Sequence, residues 1–152
     1  ISACLVGSEM CIRDRIAVED TRALRQAVLR PHETIEQLGE HEPPDAFAVG
    51  AFDAGRLVAV GLIGPEGDPG DWRVRGMAAP PEARGRGAGT AVLAALLSHA
   101  RANGAKRVWA RVRTPARSLY ERAGFVASSG EYELPDIGPH LTMSRELDAA
   151  EV

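Results

Sequence analysis

The run RGRGAGTAVLAALL, residues 84–97, constrains the architecture of this chain more than any other stretch. Gly85, Gly87 and Gly89 alternate directly before an apolar segment in which Val92 and Leu96, and Leu93 and Leu97, stand at helical spacing. A glycine inside a helix costs about 1 kcal/mol relative to alanine, so three at a helix start need a reason. Placed ahead of the helix, they let the backbone turn tightly and come close to a ligand. The first helical amides have no internal partner, and the helix dipole adds partial positive charge there. Phosphate is the ligand that fits, and Arg84 and Arg86 bring two further charges beside the amides. The loop is neither G-x-G-x-x-G nor a G-K-[ST] phosphate loop, and no acidic residue about 20 positions on matches a ribose partner. Taken alone, a glycine-rich strand-to-helix turn with solvated arginines explains it equally well.

The rest of the chain supplies a context for that loop. With 152 residues it has room for one domain with a real core. The net charge of -3 suggests no general affinity for nucleic acid or an anionic membrane, and no apolar run approaches a membrane span. The N-terminal ISACLVGSEMCIRDR is similar to a translated sequencing-adapter tail, so residues 1–15 are set aside as a non-native tail. Both cysteines, Cys4 and Cys11, go with it, and with them any disulfide scaffold or cysteine metal site. No metal is expected, and a cytoplasmic setting is the default.

A helix is expected from a cap at Asp20 or Thr21 to Arg30, where Pro31 stops it, and a short one over residues 34–38. FAVGAFDAGRLVAVGLI reads as a hairpin around Asp53-Ala54-Gly55-Arg56, and WRVRGMAA as a third strand. After the glycine loop the helix runs to about Asn103, with Gly104 as its stop. KRVWARV alternates as a half-buried strand does, Pro115 opens a helix through Ala123, and Gly124 closes it. Phe125–Ser128 and His140–Leu147 are the final strands. Strands joined by helical crossovers imply a mixed α/β sheet with some parallel pairs, in one domain over 16–148 with a tail at 149–152.

Two motifs then carry a resemblance. Arg84-x-x-Gly87-x-Gly89, after a strand and the Pro81-Glu82 turn, resembles the acetyl-CoA signature of the GNAT N-acetyltransferases. Some thirty residues on, ARSLYERAGF (residues 116–125) looks like that family's second landmark, a helix carrying a tyrosine and ending in Gly-Phe. WRVRGMAA and IGPHLTMSREL are similar to the ElaA-like branch of small GNAT proteins. The resemblance implies a single-domain α/β (α+β) fold with a mixed, mostly antiparallel sheet flanked by helices and splayed parallel strands at the acetyl-CoA site. It implies acetyl-CoA as co-substrate and direct acetyl transfer to the amine of a small molecule or peptide. Family members are often dimers, although no stripe in this sequence commits it to a homodimer.

Carried over residue by residue, the strand before the loop would hold the pantetheine arm through the backbone of Met77, Ala78 and Ala79. The amides of Gly85, Arg86, Gly87, Ala88, Gly89 and Thr90 would hold the pyrophosphate, with the Arg84 and Arg86 side chains at its rim. Tyr120, on one helix face with Ala116, would donate to the departing thiolate; otherwise it is a core tyrosine bonded to a carbonyl. Arg113 stands where many members have Asn, and reaches a CoA phosphate or solvent. Glu33, Glu131, Glu133 and His140 are the candidate bases. Glu131-Tyr132-Glu133 alternates, so both carboxylates would share one face. The family's first strand would have to come from CIRDRIAV, largely within the excluded tail. A non-catalytic acyl-CoA sensor on the same fold would share the loop and need no chemistry from Tyr120.

Overall fold

The computed structural model describes residues 2–3, 12–85 and 87–147. Its strands are β1 (Ser2–Ala3), β2 (Ile12–Ile16), β3 (Phe47–Asp53), β4 (Arg56–Pro65), β5 (Asp71–Ala78), β6 (Arg107–Arg113), β7 (Val126–Ala127), β8 (Tyr132–Leu134) and β9 (Gly138–Glu146). They form one sheet in the order β1-β2-β3-β4-β5-β6-β9-β7, with β8 also paired to β9. Helices α1 (Arg22–Leu29) and α2 (Ile35–Leu38) lie between β2 and β3, α3 (Ala88–Ala102) between β5 and β6, and α4 (Arg117–Arg122) between β6 and β7. Ile12–Ile16 pairs antiparallel with β3, so residues 12–15, set aside with the tail on sequence grounds, are part of the sheet.

Period-two burial explains the layers. On one face Val49, Ile63, Val74, Val108, Ala110 and Val112 pack under Val92, Leu93 and Leu96 of α3. The alternate residues Ala48, Val60 and Leu62 are buried on the other face, where α1 and α2 lie and α2 contributes the fully buried Leu38. The β3–β4 hairpin turns through Ala54 (φ 51°) and Gly55 (φ 81°), the left-handed pair that matches strand twist. Thr34 caps α2 reciprocally with Gln37, whereas the Thr21 hydroxyl caps nothing: it donates to Val18 O and accepts from Arg25. Tyr132–Leu134 is a strand that the sequence reading leaves inside a loop, and the last strand begins at Gly138 rather than His140.

One pair in this sheet decides the rest. β5 and β6 run parallel, and they pair only from Asp71↔Arg107 to Val74↔Ala110. Beyond that point the two strands separate. On its other side β5 carries a bulge, with Gly76 and Met77 set against Gly61 alone between the pairs Leu62↔Arg75 and Val60↔Ala78. Gly76 sits in the bulge at φ +66°, and a Cβ there would lie 3.0 Å from Arg25 Nε.

Candidate active site

A cavity of about 910 Å³ occupies the gap between the separated strands and extends to both faces of the sheet. Its mouth is the glycine loop. Gly85 (φ +80°) and Gly87 (φ +89°) are left-handed, which is the conformation that side chains resist. Gly87 is the N-terminal cap of α3, and the first intrahelical bond runs from Ala91 N–H to Gly87 O at 3.0 Å. The amides of Ala88, Gly89 and Thr90 therefore lack partners inside the helix. Gly89 departs from expectation: it lies in the first turn of α3 and not ahead of it. A Cβ on Gly89 would meet only Leu119 at an ordinary 3.6 Å. Arg86 lies outside the described residues. Arg84 lines the mouth, and its Nε donates to Ala79 O at 3.0 Å.

Met77, Ala78 and Ala79 line one wall along the free edge of β5, and Ala116 and Tyr120 line the opposite side. Tyr120 is buried, edge-on to Phe125 with ring centroids 5.3 Å apart. Its hydroxyl has no hydrogen bond to any described residue, in contrast to a core tyrosine bonded to a carbonyl. Burial raises its pKa, so it is fully protonated at neutral pH.

His140 is buried at the start of β9 and also lines the cavity. Its Nδ1 lies 2.9 Å from Gly138 O. A carbonyl only accepts, so Nδ1 carries the proton and Nε2 of the neutral ring is an acceptor. The candidate carboxylates do not join it. Glu131 accepts from the Thr114 hydroxyl at 2.7 Å. In the β8–β9 register Tyr132 is paired with His140, so Glu133 falls on the opposite face, exposed and off the cavity wall. Glu33 is held by Arg30 at 3.1 Å and His41 at 2.8 Å. Arg113 lines the cavity but turns to α1, with Nη2 donating to Leu29 O at 2.6 Å.

The α1 side of the cavity rests on a strut that the sequence reading missed. Arg25, buried on α1, donates to Glu42 at 2.8 Å, to Thr21 at 3.1 Å and to Leu38 O at 3.0 Å, while Arg22 grips the same Glu42 at 2.7 and 2.8 Å. Its aliphatic end fills the space above Gly76 and holds the bulge. A glycine inside an otherwise strand-like run was the one available signal.

The chain matches known proteins in the same terms. The model of the acetyltransferase (GNAT) family matches residues 14–125. The uncharacterized N-acetyltransferase YitI of Bacillus subtilis (strain 168) is 30% identical over 139 residues, covering 87% of this chain and 93% of the relative. Two Escherichia coli crystal structures share the fold. ElaA superposes with a TM-score of 0.69 at 19% identity, over 89% of this chain and 99% of its own. The ribosomal-protein-S18-alanine N-acetyltransferase gives 0.72 at 17%, over 91% and 95%.

Proposed function

The chain belongs to the GNAT family of acetyltransferases, and from that premise we propose that it moves an acetyl group from acetyl-CoA directly to a primary amine, with Tyr120 as the general acid. The observation that carries the reading is the Tyr120 hydroxyl, unbonded to any described residue, in the cleft that also holds the first-turn α3 amides and the open edge of β5. Acetyl-CoA supplies an acyl carbon already activated as a thioester. The amides of Gly85–Thr90, with Arg84 and Arg86 at the rim, hold its pyrophosphate. The backbone of Met77–Ala79 aligns the pantetheine arm and supplies N–H to the oxygen that gains charge.

The amine then forms the new C–N bond as the C–S bond breaks. His140 Nε2 takes the proton that the amine must lose, directly or through water, and the Tyr120 hydroxyl donates to the sulfur. A tyrosine kept protonated by burial is suited to that donation. Arg113, in this reading, steadies the end of α1 and contributes positive charge to the cleft.

Calorimetric titration of acetyl-CoA, with ATP as the control, tests the donor: micromolar binding of the first and none of the second is expected. Tyr120→Phe should lower kcat by about a hundredfold or more while acetyl-CoA affinity holds, the span usual for a positioned acid. Folded protein that does not bind acetyl-CoA would sink the proposal. A Tyr120→Phe variant with undiminished kcat would remove the acid role alone.

A further inference from the structure

The cavity continues past the separation of β5 and β6 onto the face that carries α1, and its walls there hold one sign of charge. Alternation puts Arg73 and Arg75 of β5, and Arg111 and Arg113 of β6, opposite the buried Val74, Ala110 and Val112. All four line the cavity, and among the described residues no aspartate or glutamate does. Behind them Glu66 serves two at once, accepting from Arg73 at 2.9 Å and from Arg75 at 3.0 Å. Among the described residues Arg113 is engaged only by the neutral Leu29 carbonyl, and Arg111 is exposed with no hydrogen bond or ion pair.

A second observation comes from Arg73 itself. Its guanidinium lies over the Trp109 ring, 4.7 Å from the centroid, and its Nε is buried without an acceptor. A buried donor left in that state costs about 1–3 kcal/mol unless an acceptor arrives. Burial first, then the charges of Arg75 and Arg111, bear down on the same guanidinium and outweigh the bond and charge of Glu66. Excess positive charge confined in a cleft raises the local concentration of anions and repels cations.

The location separates this cluster from the nucleotide end. The last β5–β6 pair is Val74↔Ala110, so Arg75 and Arg111 are the first residues beyond the point where the strands part. Four residues of strand, about 13 Å, lie between Val74 and Ala78 at the mouth. The phosphate end has its own amides and its own arginine there. Arginine presents a planar fork that pairs with a carboxylate through two parallel bonds.

Resting on the acetyltransferase reading, we infer that the acceptor amine carries a carboxylate, gripped by Arg111 at the apex of the separated strands and by Arg73 just before it. The carboxylate neutralises the surplus charge, and the amine is left facing the thioester. Polyamines and other purely cationic amines are excluded by the same field.

Thiol release from acetyl-CoA, followed with the full chain, tests this against the twenty protein amino acids, their α-amides and spermidine. At least one acid should exceed its own amide tenfold or more in kcat/KM, with spermidine inert. Arg111→Gln should raise the KM for that acid at least tenfold, and Arg111→Lys should recover part of it. Arg111 is exposed and bonds no described residue, so its replacement leaves the fold in place. Amides or spermidine outrunning the acids would overturn the inference and leave the acetyltransferase reading standing. So would an unchanged KM in Arg111→Gln, or acetyl-CoA binding with no amino acid acetylated. Failure of acetyl-CoA to bind folded protein, read by calorimetry, would remove both.

Discussion

The two ends of the cleft are built by different means. The mouth is backbone: two left-handed glycines and the bare first turn of α3, all within residues 85–90. The α1 face is side chain: Arg25 reaching Glu42 across 17 positions and Arg113 reaching Leu29 across 84. A backbone site is cheap to encode, because a few consecutive residues specify it. A side-chain site depends on which distant segments the sheet brings together, and it fails as a unit when one partner goes.

The largest expected effect follows from that dependence. Glu42→Gln leaves Arg25 buried opposite a neutral group, and breaking a buried pair costs about 3 kcal/mol or more. The urea midpoint should fall accordingly, while the folded fraction keeps its affinity for acetyl-CoA. A loss of affinity in parallel would mean that the two ends are not separate. Burial works to raise the Glu42 carboxyl, and the bonds from Arg22 and Arg25 with their charges outweigh it, so its pKa ends below the ordinary value. A depressed carboxyl stabilises the fold above its unfolded value of about 4.3, and that stability is lost as pH falls through the folded value. The gap between wild type and Glu42→Gln should thus be widest near neutral pH and close in acid.

Gly87→Ala attacks the other end. A left-handed residue with a side chain costs about 1–2 kcal/mol, and nothing lies within 4 Å of the new Cβ to add a clash. The cap should relax toward an ordinary conformation and turn the α3 amides off the ligand. Acetyl-CoA binding, measured by calorimetry, should weaken about tenfold or more, with Glu42 and its partners undisturbed. An unchanged Kd would show that the amides do not depend on this cap.

The same contrast sets what could be read from sequence. The glycine loop, the hairpin at Ala54-Gly55 and the helix stop at Gly104 announce themselves because the cause lies within a few residues. Helical crossovers likewise announce a parallel pair. That β5 and β6 part is implied by the family resemblance alone; no local pattern marks where, since the point after Val74 goes with a bulge at Gly76 held by a helix some fifty positions away. Alternation gives Glu131 and Glu133 a common face and says nothing of where His140 lies. Only the register of β8 on β9 shows that His140 shares its face with Tyr132 instead. Three-residue β8 has no local signature, being fixed by its partner strand.

Gly89→Ala carries the smallest effect, and its two consequences have opposite signs. Gly89 lies inside α3 without a left-handed φ, and a methyl there finds ordinary contact with Leu119. Nothing in the protein's own packing requires glycine. Alanine should therefore stabilise the fold, by up to about 1 kcal/mol, since it is the better helix former. If the missing side chain serves the ligand, the same substitution should weaken acetyl-CoA binding several-fold, because the methyl stands beside the amides of the first turn. Stability and affinity measured on one variant thus separate the two explanations for a glycine that the helix itself disfavours. If both rise together, residue 89 is not part of the cradle, and the mouth consists of Gly85, Gly87 and the amides they expose.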